Sequence, residues 1–367
     1  MKNKKIVIAG GTGFIGQALA KYFGKENRVI ILSRQSVQNQ NNNHNHSLVK
    51  AADGYNITYW RWDGQSIEKH WANEVEGSDL VINLAGKSVN CRYSEGNKQA
   101  ILDSRLRPTA VLGEVIRQCT RPPKLWINAA SATIYQHSLS APNDENSGMI
   151  SEKKKDNMPY SSIDQLRFKW KRRIRSWKKG KDSEEVKNLD LDFSVLVCKR
   201  WEQSFFEQRT PFTRKVALRT AITLGEEGVM VPYFNLLKFG LGGYQGDGQQ
   251  MVSWIHVEDI ARSIEWIFDH PIMEGVYNCS APHSVSNKEF METMRELTGN
   301  KFGLPAWSWM LEIGTALIGT ESELILKSRW VLPAKLLQSG FTFKYPFLKA
   351  ALREIVDKTP RKHYHLF

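Results

Sequence analysis

Short apolar runs punctuate the first two thirds of the chain. KIVIAGG, RVIILSR, NITYWRWD, SDLVINLAG, PKLWINAAS and KVALRTAITLG are each rich in aliphatic or β-branched residues and bounded by glycine or polar residues. That pattern predicts six strands. Between them the apolar period changes. TGFIGQALAKYFGKEN places Phe14, Ala18, Leu19 and Tyr22 on one helical face, and residues 94–118 and the run DFSVLVCKRWEQSFFEQ also read as helices. Strands alternating with helices predict a parallel, doubly wound α/β sheet. From about residue 226 the rhythm turns irregular through FGLGGYQGDGQQ. SWIHVEDIARSIEWIFDHP then reads as a strand followed by a helix, and residues 288–367 as mainly helical with a short GFTFKYP. The division expected is a sheet domain over 1–230 and a smaller, mainly helical domain over 231–367, with some segments exchanged between them. No internal repeat is present.

A length of 367 residues suits a large domain plus a smaller one. An apolar content of 41% and a charged content of 24% are those of an ordinary globular protein. No apolar run is long enough to predict a membrane-spanning helix. The opening MKNKKIVIAG is too short in apolar residues for a signal peptide and reads as a first strand. Cys91, Cys119, Cys198 and Cys279 are isolated, without a C-x-x-C pair. That argues against a disulfide framework or a metal site and fits a reducing, cytoplasmic setting.

The net charge of +13 changes the picture only locally. Segment 153–181 holds twelve Lys/Arg against two Asp, leaving 39 Lys/Arg and 36 Asp/Glu for the other 338 residues. A basic insert over about 146–190 thus interrupts a nearly neutral body, and residues 35–50 form an Asn-rich loop. Within the insert Ile163, Leu166, Trp170, Ile174 and Trp177 recur at helical spacing, with Lys and Arg on the other faces. Such a helix can meet an anionic membrane, an acidic partner or nucleic acid. It can equally be a solvated surface helix that packs its Trp stripe on the body. No nucleic-acid-binding fold accompanies it.

The candidate chemistry begins at the first strand. Gly10, Gly13 and Gly16 stand at G-x-x-G-x-x-G spacing between that strand and an amphipathic helix. Gly10 permits a tight turn, Gly13 lets a pyrophosphate reach the backbone, and Gly16 allows close helix packing. The helix N-terminus then faces the anion. At the end of the second strand an NAD site usually carries Asp or Glu for the ribose 2′-hydroxyl. Here the chain has Ser33 and Arg34. A guanidinium suits a 2′-phosphate, which points to NADP(H). The alternative is that Arg34 is a plain surface charge.

GGTGFIG, NLAG at 83–86, SATIY at 131–135, LRTAITLG at 218–225 and SWIHVED at 253–259 together resemble the extended short-chain dehydrogenase/reductase superfamily. NLAGKSVNCRYSEGNKQAILDSR, GLGGYQGDGQQMVSWIHVEDI and RWVLPAKLLQSGFTFKYPFLKAAL resemble its atypical, epimerase-like branch, the NAD-dependent epimerase/dehydratase-like "epimerase family protein" group with its own C-terminal domain. The resemblance spans almost the whole chain except about 35–50 and 146–190. It implies a Rossmann-type fold whose smaller domain closes over the substrate. It implies that Gly10, Thr12, Gly13, Phe14, Ile15 and Gly16 line the pyrophosphate and that Ser33 and Arg34 hold the adenosine phosphate. Asp63 would lie near adenine and Leu84, Ala85 and Gly86 beside the cofactor, with Arg105, on a helix facing the cleft, also among the cofactor-binding residues. Ser131 falls on the superfamily's catalytic serine.

The pattern then breaks. The superfamily's Tyr-x-x-x-Lys pair supplies an acid/base phenol and the charge that lowers its pKa. Only Tyr345 has a Lys four residues on, Lys349, and both belong to the C-terminal block. Cys198 and Glu202 occupy the pair's places. Tyr135 remains as a possible phenol near the cleft. Ser131 is then either catalytic or a small strand-end residue kept by the fold. His256 and Asp259 are expected to be structural, with Asp259 capping the helix that follows. Three functions stay open: an NADP(H)-dependent oxidoreductase or epimerase-like enzyme with an unknown small substrate; a non-catalytic NADP(H)-binding sensor or regulator, for example in cell division; and a membrane or nucleic-acid contact through the basic helix.

Overall fold

The computed structural model describes residues 1–34, 54–151, 192–305 and 328–365. The Asn-rich loop and the basic helix expected within 153–181 lie outside the described residues. Eleven strands are described: β1 Lys5–Ala9, β2 Arg28–Ser33, β3 Ile57–Arg61, β4 Leu80–Asn83, β5 Leu125–Ser131, β6 Arg214–Thr220, β7 Ile222–Leu224, β8 Met251–Val252, β9 Trp254–His256, β10 Gly275–Cys279 and β11 Val285–Ser286. The helices are α1 Phe14–Gly24, α2 Lys69–Val75, α3 Glu95–Gln118, α4 Phe193–Phe206, α5 Met230–Lys238, α6 Val257–Asp269, α7 Asn287–Thr298, α8 Ala334–Gln338 and α9 Leu348–Lys358.

Seven strands form one parallel sheet in the order β10-β6-β5-β4-β1-β2-β3. Parallel strands bury both faces, which is why their runs are nearly continuous in apolar residues. Alternate residues serve opposite sides. Ile6, Ile8, Val29, Ile31, Leu80 and Ile82 face α1 and α6, where Leu19, Phe23, Ile260 and Ile264 close a core. Val7, Ala9, Ile30, Leu32 and Val81 face Trp71 of α2, Leu112 and Ile116 of α3, and Phe205 of α4. A second apolar cluster gathers Phe234, Phe290, Met294, Leu352 and Ile355 from α5, α7 and α9. This is the smaller, helical lobe. No described helix is long and apolar enough to cross a membrane.

Winding runs from β1 outward to β3 on one side and from β4 to β6 on the other. Strand order therefore reverses between β1 and β4, and a crevice opens beyond their ends at Ala9 and Asn83. Two details differ from the sequence reading. The run at 215–225 is two strands, because the chain leaves the main sheet at Ala221 and Ile222–Leu224 pairs instead with Trp254–His256. The edge strand β10, from well past residue 230, pairs with β6 and completes the main sheet.

Candidate functional site

The glycine turn sits at the mouth of that crevice. Gly10 has φ +74, and a Cβ there would stand 2.8 Å from the Ala85 backbone. Only glycine satisfies both the left-handed conformation and the close strand approach. A Cβ at Gly16 would lie 2.5 Å from Gly11 Cα, so α1 starts directly against the turn. Gly13 differs: it is the N-cap of α1, makes no side-chain cap bond, and a Cβ there would meet nothing within 4 Å. The open space lies at a helix N-terminus whose first N–H groups have no intrahelical partner. Those are the properties of an anion cradle. Phe14, Ile15 and Leu84 bring backbone to this rim while their side chains turn inward. Phe14 packs under Gly225 and Gly228, and Ile15 and Leu84 pack on the core. Thr12 Oγ1 lies 3.2 Å from Ser33 Oγ and ties the turn to the end of β2.

Next to Ser33, Arg34 is exposed. Asp63 follows β3 and caps its own loop. Its Oδ1 accepts from the N–H groups of Gln65 and Ser66 at 2.7 and 2.8 Å, and its Oδ2 accepts from Ser66 Oγ at 2.8 Å. Partial desolvation works against ionisation, but those bonds hold the carboxyl below its ordinary range.

Beyond β4, Leu84 N–H donates to Ala9 O at 2.8 Å and Ala85 N–H to Asn83 Oδ1 at 3.1 Å. Gly86 then faces the Arg105 guanidinium, whose Cζ would be 3.3 Å from an added Cβ. Arg105 Nη1 donates to Lys87 O at 3.1 Å and Ile101 O at 3.0 Å, and its Cζ lies 5.1 Å from the Trp201 ring centroid. Burial lowers its pKa from the ordinary arginine value.

Ser131 ends β5. Its Oγ accepts from Thr133 N–H at 3.2 Å and donates to Thr133 Oγ1 at 3.0 Å, and the residue is partly exposed. Tyr135 is 0% exposed. Its hydroxyl donates to Asn278 Oδ1 at 2.9 Å and accepts from Arg219 Nη1 at 2.8 Å. The rest of the Arg219 fork is held by Glu202, Nε to Oε1 and Nη2 to Oε2, both at 2.8 Å. The phenol is thus a member of a buried network joining the turn after β5 to α4, β6 and β10. Burial raises its pKa despite Arg219. Cys198 is buried as well, its thiol pushed up to about 12 first by burial and then by Glu202. The two residues that the resemblance sets at the Tyr and Lys positions are therefore a buried thiol and the anchor of a buried ion pair.

Arg219 and Asn278 were not singled out from the sequence. An arginine in KVALRT, among residues buried on both faces, was the available signal: a buried charge requires a partner. Asp259 corrects the expected cap. The N-cap of α6 is His256, whose Nδ1 accepts from Glu258 N–H at 3.3 Å. A backbone N–H can only donate, so the ring proton sits on Nε2, which lies 3.2 Å from Glu354 Oε2. Asp259, within the first turn of the helix, instead accepts from Lys344 N–H and Tyr345 N–H at 2.8 and 2.9 Å and clamps the C-terminal segment.

A parallel sheet with an open glycine turn at its strand-order switch defines a dinucleotide-binding Rossmann protein. The chain belongs to the NAD dependent epimerase/dehydratase family, whose model matches residues 6–280, and a domain of unknown function (DUF1731) matches residues 308–355. Epimerase family protein YfhF of Bacillus subtilis is 29% identical over 354 residues, covering 96% of this chain and 97% of the relative. The human epimerase family protein SDR39U1, whose crystal structure contains NADPH, superposes with a TM-score of 0.71 at 27% identity, covering 96% of this chain and 99% of that one. A UDP-N-acetylglucosamine 4-epimerase from Methanobrevibacter ruminantium shares the fold, with a TM-score of 0.66 at 17% identity over 97% of this chain and 98% of that one.

Proposed function

We propose that the chain binds NADP(H) and acts as an epimerase-like oxidoreductase on a small molecule. The observation that carries the cofactor choice is the end of β2. No carboxylate follows Leu32; Ser33 is tied to the glycine turn and Arg34 is exposed beside it. The backbone of Gly10, Thr12, Gly13, Phe14, Ile15 and Gly16 would hold the pyrophosphate, and Ser33 and Arg34 the 2′-phosphate. The NADPH of the human relative supports the same choice. When bound, the nicotinamide supplies or accepts a hydride. Among the chain's own groups, Ser131 Oγ can turn its proton from Thr133 Oγ1 to a substrate oxygen while the Thr133 N–H still holds it in place. Tyr135 serves as a positioning residue, since its hydroxyl is engaged on both sides.

The enclosed Tyr135 and the high-pKa Cys198 favour a second reading, in which the chain binds NADP(H) as a sensor without turnover. Parallel titrations with NADPH and NADH, followed by nicotinamide fluorescence, test the shared part. NADPH is expected to bind at least about tenfold more tightly, a preference lost in Arg34→Asp. Equal binding of both nucleotides would sink the assignment. Turnover of carbonyl substrates with NADPH, abolished in Ser131→Ala, separates the enzyme from the sensor.

A further inference from the structure

We infer that Arg105 forms a subsite for an oxyanion, a carboxylate or phosphate group carried by the substrate. This rests on the cofactor reading above and names the class of molecule that shares the cleft.

The guanidinium is built as a receptor. Both hydrogens of Nη1 are used by main-chain carbonyls, Lys87 O and Ile101 O, which fix the plane of the group. Trp201 lies beneath it, and Trp201 Nε1–H is itself held by Thr109 Oγ1 at 3.2 Å. Thr109 in turn donates to Arg105 O at 2.7 Å, one turn back on the same helix. Two of the five N–H groups are therefore spent on rigidity, and the Nε/Nη2 edge has no protein acceptor among the described residues. Neither nitrogen is a sealed, unsatisfied buried atom. That edge is the one which pairs side-on with a carboxylate or phosphate.

The surroundings suit an anion and nothing else charged. No carboxylate forms an ion pair with Arg105 among the described residues, whereas its helix neighbour Arg107 is paired with Asp103 at 2.9 Å. The connection from Gly86 to Ser94 contains Lys87 and Arg92 but no Asp or Glu. Gly86 lacks the side chain that would wall off the guanidinium, and it follows Ala85, which touches the glycine turn. The group therefore stands beside the cofactor crevice. A partly desolvated arginine left without a counter-charge is costly in the free protein. A ligand that supplies the missing charge recovers that cost, and the fixed guanidinium has little rotamer freedom left to lose on binding.

The test uses the full chain saturated with NADPH and titrated separately with inorganic phosphate and with acetate. The two arms show which oxyanion geometry the subsite prefers. Binding is read from the quenching of tryptophan fluorescence and from calorimetry, with NADPH affinity measured in parallel. Wild type is expected to bind at least one of the two anions, and Arg105→Ala to weaken that binding by about tenfold or more. NADPH affinity should change by less than about threefold. Arg105→Lys keeps the charge without the fork and is expected to fall between them. It also replaces the alanine variant if the latter does not fold. Unchanged anion binding in the variants overturns the inference. So does a loss of NADPH affinity as large as the loss of anion affinity, because Arg105 would then be the cofactor ligand that the family resemblance implies. Wild type that binds NADPH but neither anion overturns it too. Wild type that fails to bind NADPH sinks the parent reading instead.

Discussion

Glu202→Ala is the perturbation that the structure makes most informative. Glu202 and Arg219 keep only 11% and 9% of their side-chain surface. Glu202 accepts two of the three hydrogen bonds made by the Arg219 guanidinium, and Tyr135 accepts the third. Removing the carboxylate leaves a buried cation with one neutral acceptor. Such a stranded charge costs about 3–5 kcal/mol, a large part of the roughly 5–15 kcal/mol that stabilises a typical domain. Distance alone would not single this pair out. Lys349 and Glu296 approach to 2.6 Å, yet their side chains are 53% and 59% exposed. Glu296→Ala should therefore cost no more than about 1 kcal/mol. The paired variant Glu202→Leu/Arg219→Met removes both charges together and is expected to lose much less than the sum of its single changes. Urea unfolding followed by circular dichroism measures these three variants together with the single changes Glu202→Leu and Arg219→Met. A loss below about 1 kcal/mol in Glu202→Ala, or simple additivity in the pair, would refute the reasoning.

Two further changes follow from the turn and from α6. Gly13→Ala adds a methyl to open space at φ −78, so stability should change by less than about 1 kcal/mol while NADPH binding weakens. Gly16→Ala meets the Gly11 backbone and should cost about 1–3 kcal/mol; thermal melts and nucleotide titrations of both variants would expose an inverted order. His256 has its pKa lowered first by burial, against the opposing pull of Glu354. The folded state thus prefers the neutral ring, and the unfolded chain binds the extra proton. The stabilisation is complete above the unfolded value of about 6.5 and is lost as pH falls through the folded one. Denaturation midpoints between pH 7 and 5 should drop less steeply in His256→Gln than in wild type; parallel slopes would rule this out.

The glycine turn and the inner strands were legible because each rests on local grammar. A left-handed Gly10, an apolar run buried on two faces, and Ser94 starting α3 by accepting from Asn97 N–H all leave traces within a few residues. What escaped depends on partners far apart in sequence. GVYNC of β10 is short and only partly apolar, and it becomes a strand because β6 offers an edge some sixty residues earlier. Asp259, expected as the cap of α6, is instead drawn to the backbone of residues 344 and 345, far along the chain. Tyr135, four residues beyond the candidate Ser131, read as a possible phenol near the cleft. Whether a phenol faces a cleft or a core is decided by Arg219 and Asn278, from two other strands.

The place of β10 bears on how the molecule is made. A growing chain that has reached residue 230 has made α1 to α4 and β1 to β7, but β6 then lies at an open margin with a row of unpaired N–H and C=O groups. Its cover arrives only after α5 and the short strands β8 and β9 have been synthesised. The Leu218, Val216 and Leu125 side of the sheet likewise waits for Ile260 and Ile264 of α6. A fragment cut at 230 would thus carry both a sticky edge and a bare apolar face, the combination that drives chains to associate. The two lobes are interleaved in sequence, so neither reaches its final form before most of the other exists.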